Sequence, residues 1–263
     1  MIKTVLTIAG SDCSGGAGIQ ADIKTITAHK MYAMSAITAL TAQNTTGVYD
    51  IYPITADFVA LQLDCIFKDI PPDAVKIGMV QSNEIIDIIV TKLKEYNAKN
   101  IVIDPVITST SGSSLLCSQA IETIIKTLLP IANIITPNIA ETETLAQLPV
   151  KNENDMILAA KKISALTSSP ILIKGGHLKN KADDLLYIDG NYYWYRSEKI
   201  NNPNTHGTGC TLSTAIACNL AKNMSLQQSI ENAKNYITGA LKSGLNIGKG
   251  LGPLNHVYSI NIE

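Results

Sequence analysis

Short apolar runs alternate along the chain with longer stretches of helical period. Thr4 to Ala9 precedes a helical pattern over Gly18 to Lys30, and Ala36 to Ala42 is a second apolar run, ended by Gln43-Asn44. Ala74 to Ile77 leads into Asn83 to Tyr96, Ile101 to Ile103 into Ser118 to Leu129, and Ile134 to Thr136 into a helix from about Asn138. A helix near Asp155 to Leu166 and the run Ile171 to Ile173 continue the rhythm. The runs are short and do not alternate in polarity, as expected of strands covered on both faces of a parallel sheet. The pattern predicts successive βαβ units. Asp184 to Ile188 and Tyr192 to Tyr195 flank Asp189-Gly190-Asn191, which predicts a hairpin on the later edge of the sheet. Two helices close the chain, the second marked by Leu226, Ile230, Ala233, Ile237, Ala240 and Leu241 on one stripe. The expected class is therefore α/β, with a mostly parallel sheet and one domain over residues 1–263, since no linker, repeat or low-complexity tract interrupts it.

In open sheets of this kind ligands sit beyond the carboxyl ends of the strands. Gly10 to Gly18, Gln43-Asn44, Gly78-Met79, Asp104, Asn138 and Lys174 all fall there. A further segment, Asn204 to Ser213, has Gly207 and Gly209 just where Leu212, Ala215, Ile216 and Leu220 begin a helical stripe. Free N–H groups and the positive end of that helix would face whatever lies over Gly207, Thr208, Gly209 and Cys210, and phosphate is the expected guest. A plain glycine-rich turn with a buried Cys210 is the alternative.

Composition narrows the guest. The chain has 263 residues, 46% of them hydrophobic, and a net charge of -1 with no basic cluster, which argues against nucleic acid or an anionic membrane surface and for a small molecule. Arg196 is the one arginine among 21 basic residues, so phosphate charge must be met by lysine, backbone N–H groups or a metal ion. The charge-poor stretches 31–49 and 200–221 are too polar to span a bilayer, and the run Val5 to Ala9 is too short for a signal peptide. Five cysteines without a C-x-x-C suit free thiols in a reducing cytoplasm.

Several residues carry two readings each. Gly16 to Ala21 matches G-x-G-x-x-A, but its distance from the strand and the missing downstream acid favour a loop over a small substrate rather than a dinucleotide site. Asp104 is a phosphate- or metal-facing carboxylate or a loop cap. Asn138 and Glu141 share a helix face and could reach magnesium-bound water, or they form a capping box. Lys174 meets a phosphate or is an ordinary solvated lysine. His29, His177, His206 and His256 make no zinc spacing. Cys210 could be an acyl-transfer nucleophile if the helix start lowers its pKa, although His206 nearby has no evident carboxylate partner. Ser109, Ser111, Gly112, Ser113 and Ser114 mark residues 105–115 as a candidate flap, and residues 179–183 are a second candidate for movement.

Taken in order, Ala9 to Asp12, Gly15 to Asp22, Thr38 to Thr45, Lys76 to Met79, Asp104-Pro105-Val106, Thr136-Pro137-Asn138, Lys174 to His177 and Gly207 to Ser213 resemble the bacterial hydroxymethylpyrimidine/phosphomethylpyrimidine kinases of the ribokinase superfamily, over nearly the whole chain. The resemblance implies a three-layer α/β/α domain, a homodimer, ATP with magnesium (Mg2+), and two successive phosphorylations of 4-amino-5-hydroxymethyl-2-methylpyrimidine in thiamine biosynthesis. It implies that Gln43 bonds the aminopyrimidine, with Gly10, Asp22, Met79 and Val106 around the ring. Lys174, Asp104 and Glu141 would attend phosphates and magnesium, Asn138 and Lys174 the nucleotide, and Gly207 to Cys210 the anion hole, with Cys210 a weak base. A pyridoxal kinase is the nearest alternative, and a non-catalytic pyrimidine sensor on the same scaffold a more distant one.

Overall fold

Alternate residues of the apolar runs divide between two cores. In β1 (Thr4–Asp12) Leu6 and Ile8 face one side of the sheet and Val5 the other; β4 (Ala74–Ile77), β5 (Ile101–Ile103) and β7 (Ile171–Ile173) split in the same way. Strands apolar on both faces are buried strands, which is why they show no alternation in sequence. The structure is a computed structural model and describes residues 1–107, 118–176 and 182–260.

With β2 (Tyr32–Asn44), β3 (Gly47–Pro53), β6 (Ile134–Ile135), β8 (Asp184–Ile188) and β9 (Asn191–Tyr195), the described strands form one sheet in the order β3-β2-β1-β4-β5-β6-β7-β8-β9. β2 through β7 run parallel to their neighbours, whereas β3 at one edge and the β8–β9 hairpin at the other are antiparallel. The predicted hairpin turns through Asp189 and Gly190, both with positive φ, as a tight two-residue turn requires.

Helices α2 (Ala56–Asp69), α3 (Asn83–Glu95), α4 (Ser118–Thr123), α5 (Ile139–Ala146) and α6 (Glu153–Ser164) pack on the Leu6/Ile8 face. The opposite face carries α1 (Gly18–Ala28), α7 (Thr208–Ala221) and α8 (Leu226–Lys242), completing the three layers. Every residue of α7 from Thr211 to Ala221 is buried. A helix enclosed all round must also satisfy its polar groups internally. Thr211 Oγ1 donates to the Gly207 carbonyl and Ser213 Oγ to that of Gly209.

Two differences from the sequence reading bear on the site. β1 and β2 run past their apolar runs to Asp12 and Asn44, and β3 and α2 follow although no element was expected there. β3 is an exposed edge, so its pattern is mixed; α2 has Val59, Leu63 and Phe67 buried at i, i+4, i+8 behind a Thr55 cap, a readable signal that the reading passed over. The helix expected over Ser118 to Leu129 is α4, continued by wider turns over Ile124–Leu128 and a tight turn at Leu129–Ile131. Most of the candidate flap 105–115, much of 179–183, and His177 lie outside the described residues.

Candidate active site

A cavity of about 490 Å³ opens along the carboxyl ends of β1, β2, β5 and β7 and over the start of α7. Its two ends differ chemically.

At one end Asp104, immediately after β5, faces Lys174, immediately after β7. Lys174 Nζ donates to Asp104 Oδ1 at 2.5 Å, and Thr136 Oγ1 donates to the same oxygen at 3.2 Å. Both side chains are nearly enclosed, so Lys174 is not a solvated lysine, and Asp104 is a buried loop aspartate. Burial works against the charge on Lys174, but Asp104 and Glu141 hold its pKa above the usual lysine value, so it remains a cation. Gly209 passes so near that a Cβ there would lie 3.2 Å from Lys174 Nζ and 3.3 Å from Asp104 Oδ2. The first N–H groups of α7, which no helix can pair within itself, therefore open beside a buried lysine.

The capping-box reading of Asn138 and Glu141 is realised. The Asn138 side chain accepts from the Glu141 N–H at 2.9 Å, and Glu141 Oε2 accepts from the Asn138 N–H at 2.7 Å, a complete capping box on α5. Both residues also line the cavity. Burial pushes Glu141 up to about 7; Lys174 opposes the shift and the Asp104 charge adds to it.

Gly207 is the cap of α7 at φ +82°, and a Cβ there would run into the carbonyl oxygen of Gly16. The glycine-rich loop after β1 and the start of α7 thus touch backbone to backbone. The Gly16 to Ala21 motif opens α1 in this packing role, with Ala17 and Gly18 reaching the cavity wall. Cys210 lies in the same wall. The alternative of an acyl-transfer nucleophile needed the helix start to lower its pKa, and the shift goes the other way. Burial pushes the thiol up to about 11, outweighing the pull of Lys76, so Cys210 is not a standing thiolate.

Gln43, Gly10, Met79 and Val106 line the same cavity, with Gly10 so near Met79 that a Cβ there would run into the Met79 methyl group. A β-bulge between Ala42 and Gln43 shifts the register of β2 on β3 just where this side chain meets the cavity. One end of its amide is 3.1 Å from Thr41 Oγ1 and the other 3.1 Å from His206 Nε2. His206 does have a carboxylate partner, contrary to the sequence reading: its Nε2 is 2.9 Å from Asp12 Oδ2. Asp12 also accepts from the N–H groups of Ser14, Gly16 and Ala17. Burial raises its pKa, but the bonds from His206, Ser14 and Ala17 prevail and hold it at about 2.

Asp22 is not among the residues of the wall. Its carboxylate is wholly buried beneath, Oδ2 accepting from Lys76 Nζ at 2.8 Å and Thr7 Oγ1 at 2.6 Å, and Oδ1 from Thr214 Oγ1 at 2.7 Å. The charge it would offer a ring is spent on Lys76. The sequence reading missed this pair, although a lysine inside Ala74-Val75-Lys76-Ile77 demands a partner. It also missed Asp184 and Lys234, paired at 2.6 Å at the phosphate end of the wall. Arg196 is bound to Glu153 and Asp183 and is outside the wall.

Fold and site together define a ribokinase-like phosphotransferase. A family profile described as phosphomethylpyrimidine kinase matches residues 12–255. The hydroxymethylpyrimidine/phosphomethylpyrimidine kinase of Haemophilus influenzae is 42% identical over 260 residues, 97% of each chain. A thiamine biosynthesis bifunctional protein of Geobacter sulfurreducens is 44% identical over 97% of this chain, which spans about half (52%) of that longer protein. Among solved structures, a phosphomethylpyrimidine kinase from Clostridium difficile has 46% identity and a TM-score of 0.80 over 90% of this chain and 98% of its own. The pyridoxal kinase of Staphylococcus aureus in complex with AMP-PCP has 34% identity and a TM-score of 0.92, covering 100% and 96%. The chain belongs to the phosphomethylpyrimidine kinase family.

Proposed function

We propose that this chain transfers the γ-phosphoryl group of ATP to the hydroxymethyl oxygen of 4-amino-5-hydroxymethyl-2-methylpyrimidine, and then phosphorylates the product again to the diphosphate, as a step of thiamine biosynthesis. The observation that carries this reading is the placement of the Lys174–Asp104 pair against Gly209 at one end of a cavity whose other end holds Gln43. An anion is met at one end and a flat polar ring at the other.

In this reading Lys174, Asn138, Gly207 and Gly209 attend the nucleotide phosphates, the two glycines through open backbone next to the helix start. Gln43 bonds the ring edge, while Gly10, Met79 and Val106 form its flat apolar walls. Asp22 supports the site from below through Lys76. Phosphoryl transfer through a loose transition state depends on positioning and charge stabilisation, which these groups supply. Cys210 begins as a neutral thiol near the acceptor and can take a proton only after giving up its own, so its contribution is confined to the alcohol. The monophosphate acceptor, with a second pKa of about 6, needs no base near neutrality.

The residues present fit a magnesium ion. Asp104 and Glu141 share the wall closely enough for one charge to raise the other's pKa, and no cluster of three or more metal-binding side chains occurs among the described residues. One or two carboxylates with phosphates and water are the usual magnesium set. Asp104 and Glu141 would hold the ion, which when bound neutralises phosphate charge.

Two coarser features belong to the same reading. Leu40 and Tyr52, cross-strand neighbours on β2 and β3, are 44% and 70% exposed, which supports a homodimer through this edge. Free thiols at Cys13, Cys65, Cys210 and Cys218 support a reducing, cytoplasmic setting.

The test is ATP-dependent ADP release with hydroxymethylpyrimidine, its monophosphate and pyridoxal. Turnover of both pyrimidines at a higher kcat/KM than pyridoxal is expected. A marked preference for pyridoxal, or ring binding without ADP, overturns the proposal.

A further inference from the structure

The side-chain amide of Gln43 lies between two groups whose hydrogens are already committed. Asp12 is ionised throughout the working range and only accepts, so His206 Nε2, 2.9 Å away, must carry the hydrogen between them whatever the charge of the ring. Towards Gln43 that nitrogen therefore presents no lone pair, and its single hydrogen, already given to Asp12, can reach Gln43 only as the second acceptor of a three-centre bond. At the other end, Thr41 Oγ1 gives its single hydrogen to the Ser11 carbonyl at 2.9 Å and can only accept from Gln43. An amide nitrogen against His206 would set two donors face to face and an amide oxygen against an acceptor. The reverse orientation satisfies both contacts.

From this we infer that His206 is a specificity-determining positioning residue: with its Nε2 hydrogen given to Asp12 it offers no acceptor to an amide N–H, which sets the Gln43 amide with oxygen towards His206, sharing that hydrogen, and nitrogen towards Thr41. Gln43 then has one lone pair and one hydrogen left for a ligand. The lone pair receives an exocyclic amine, and the hydrogen goes to an unprotonated ring nitrogen. A ring with a carbonyl beside an N–H carries the opposite order and would need the amide reversed, against both His206 and Thr41. His206 is anchored through its main chain, whose N–H donates to the Gly252 carbonyl at 3.2 Å, while Asp12 is clasped by the N–H groups of the glycine-rich loop. This inference rests on the pyrimidine-kinase reading above.

The experiment compares kcat/KM for 4-amino-5-hydroxymethyl-2-methylpyrimidine and its 4-oxo analogue, by ADP release, in wild type, His206→Leu and His206→Gln. Wild type should prefer the amino ring by a factor on the order of 100. His206→Leu should reduce that preference about tenfold or more, chiefly through a higher KM for the amino ring. His206→Gln, whose amide has one hydrogen for Asp12 and one for Gln43, should restore most of it. A preference in His206→Leu within about twofold of wild type overturns the inference and leaves the kinase reading standing. Wild type inactive on both pyrimidines overturns the kinase reading and the inference with it. Should His206→Leu fail to fold, a neutron structure of wild type decides: deuterons of the Gln43 amide on the Thr41 side support the inference, and deuterons facing His206 refute it.

Discussion

Cys210 sits at the start of a helix and beside a lysine, two influences that acidify a thiol, yet burial leaves it protonated. The balance has a kinetic signature, because the two proposed acceptors differ in whether a proton must leave. Cys210→Ala should slow the first transfer by roughly tenfold or more and the second by less than about threefold, measured as separate single-turnover rates. Equal losses would leave Cys210 as a wall of the cavity and nothing else. At this scale the sequence was partly legible. Lys174, Asp104, Gln43 and Cys210 follow strand ends or open a helix, and that position marks them. The Asp12–His206 contact joins residues 194 apart in the chain and leaves no local trace. Asp22 was misplaced because a motif shows which residues recur together, not which of them are turned into the core by a buried lysine.

At the scale of elements, the start of α7 is fitted to the loop after β1. Gly207 combines a left-handed backbone with the near contact to Gly16, so any side chain there is both strained and obstructed. Gly207→Ala should cost about 1–3 kcal/mol in stability, read from denaturant melts, and lower kcat/KM for ATP by more than stability alone explains. Near-normal values for both would separate this cap from phosphate handling. The central strands were readable because burial on both faces makes them uniformly apolar, and most helices because their buried residues recur at helical spacing. β3 was not, because an edge strand has one wet face and a mixed composition. The run of Asn138 to Glu141 shows a further limit: spacing alone offered a cap or a ligand pair, and the structure has the cap, on two residues that also line the cavity.

Over the whole molecule, the C-terminal segment closes on the active helix through His256, which is buried and whose Nε2 lies 3.0 Å from Thr211 Oγ1. Burial, with the charge of Lys24, depresses its pKa from 6.5 to about 4 against a bond from Leu254. The folded state therefore holds His256 neutral. Its stabilising contribution is complete above pH 6.5 and is lost as pH falls from there towards 4, by up to about 3 kcal/mol. In His256→Gln, unfolding free energy measured across pH 4–7 should fall less steeply than in wild type. An unchanged slope would assign the acid sensitivity to other groups.

The ribbon of β2 and β3 has Thr41 and Ile51 on the cavity and their neighbours Leu40 and Tyr52 exposed, with the bulge before Gln43 resetting the alternation. Displacing one strand by a single position would exchange the two sets, carrying a greasy side chain into the pyrimidine pocket and Gln43 into water. Should Gln43 read the ring as proposed, ligand choice is encoded in the phase of an edge hairpin. Lengthening the Asn44–Gly47 turn is a route by which a descendant could lose its ring preference while keeping its fold.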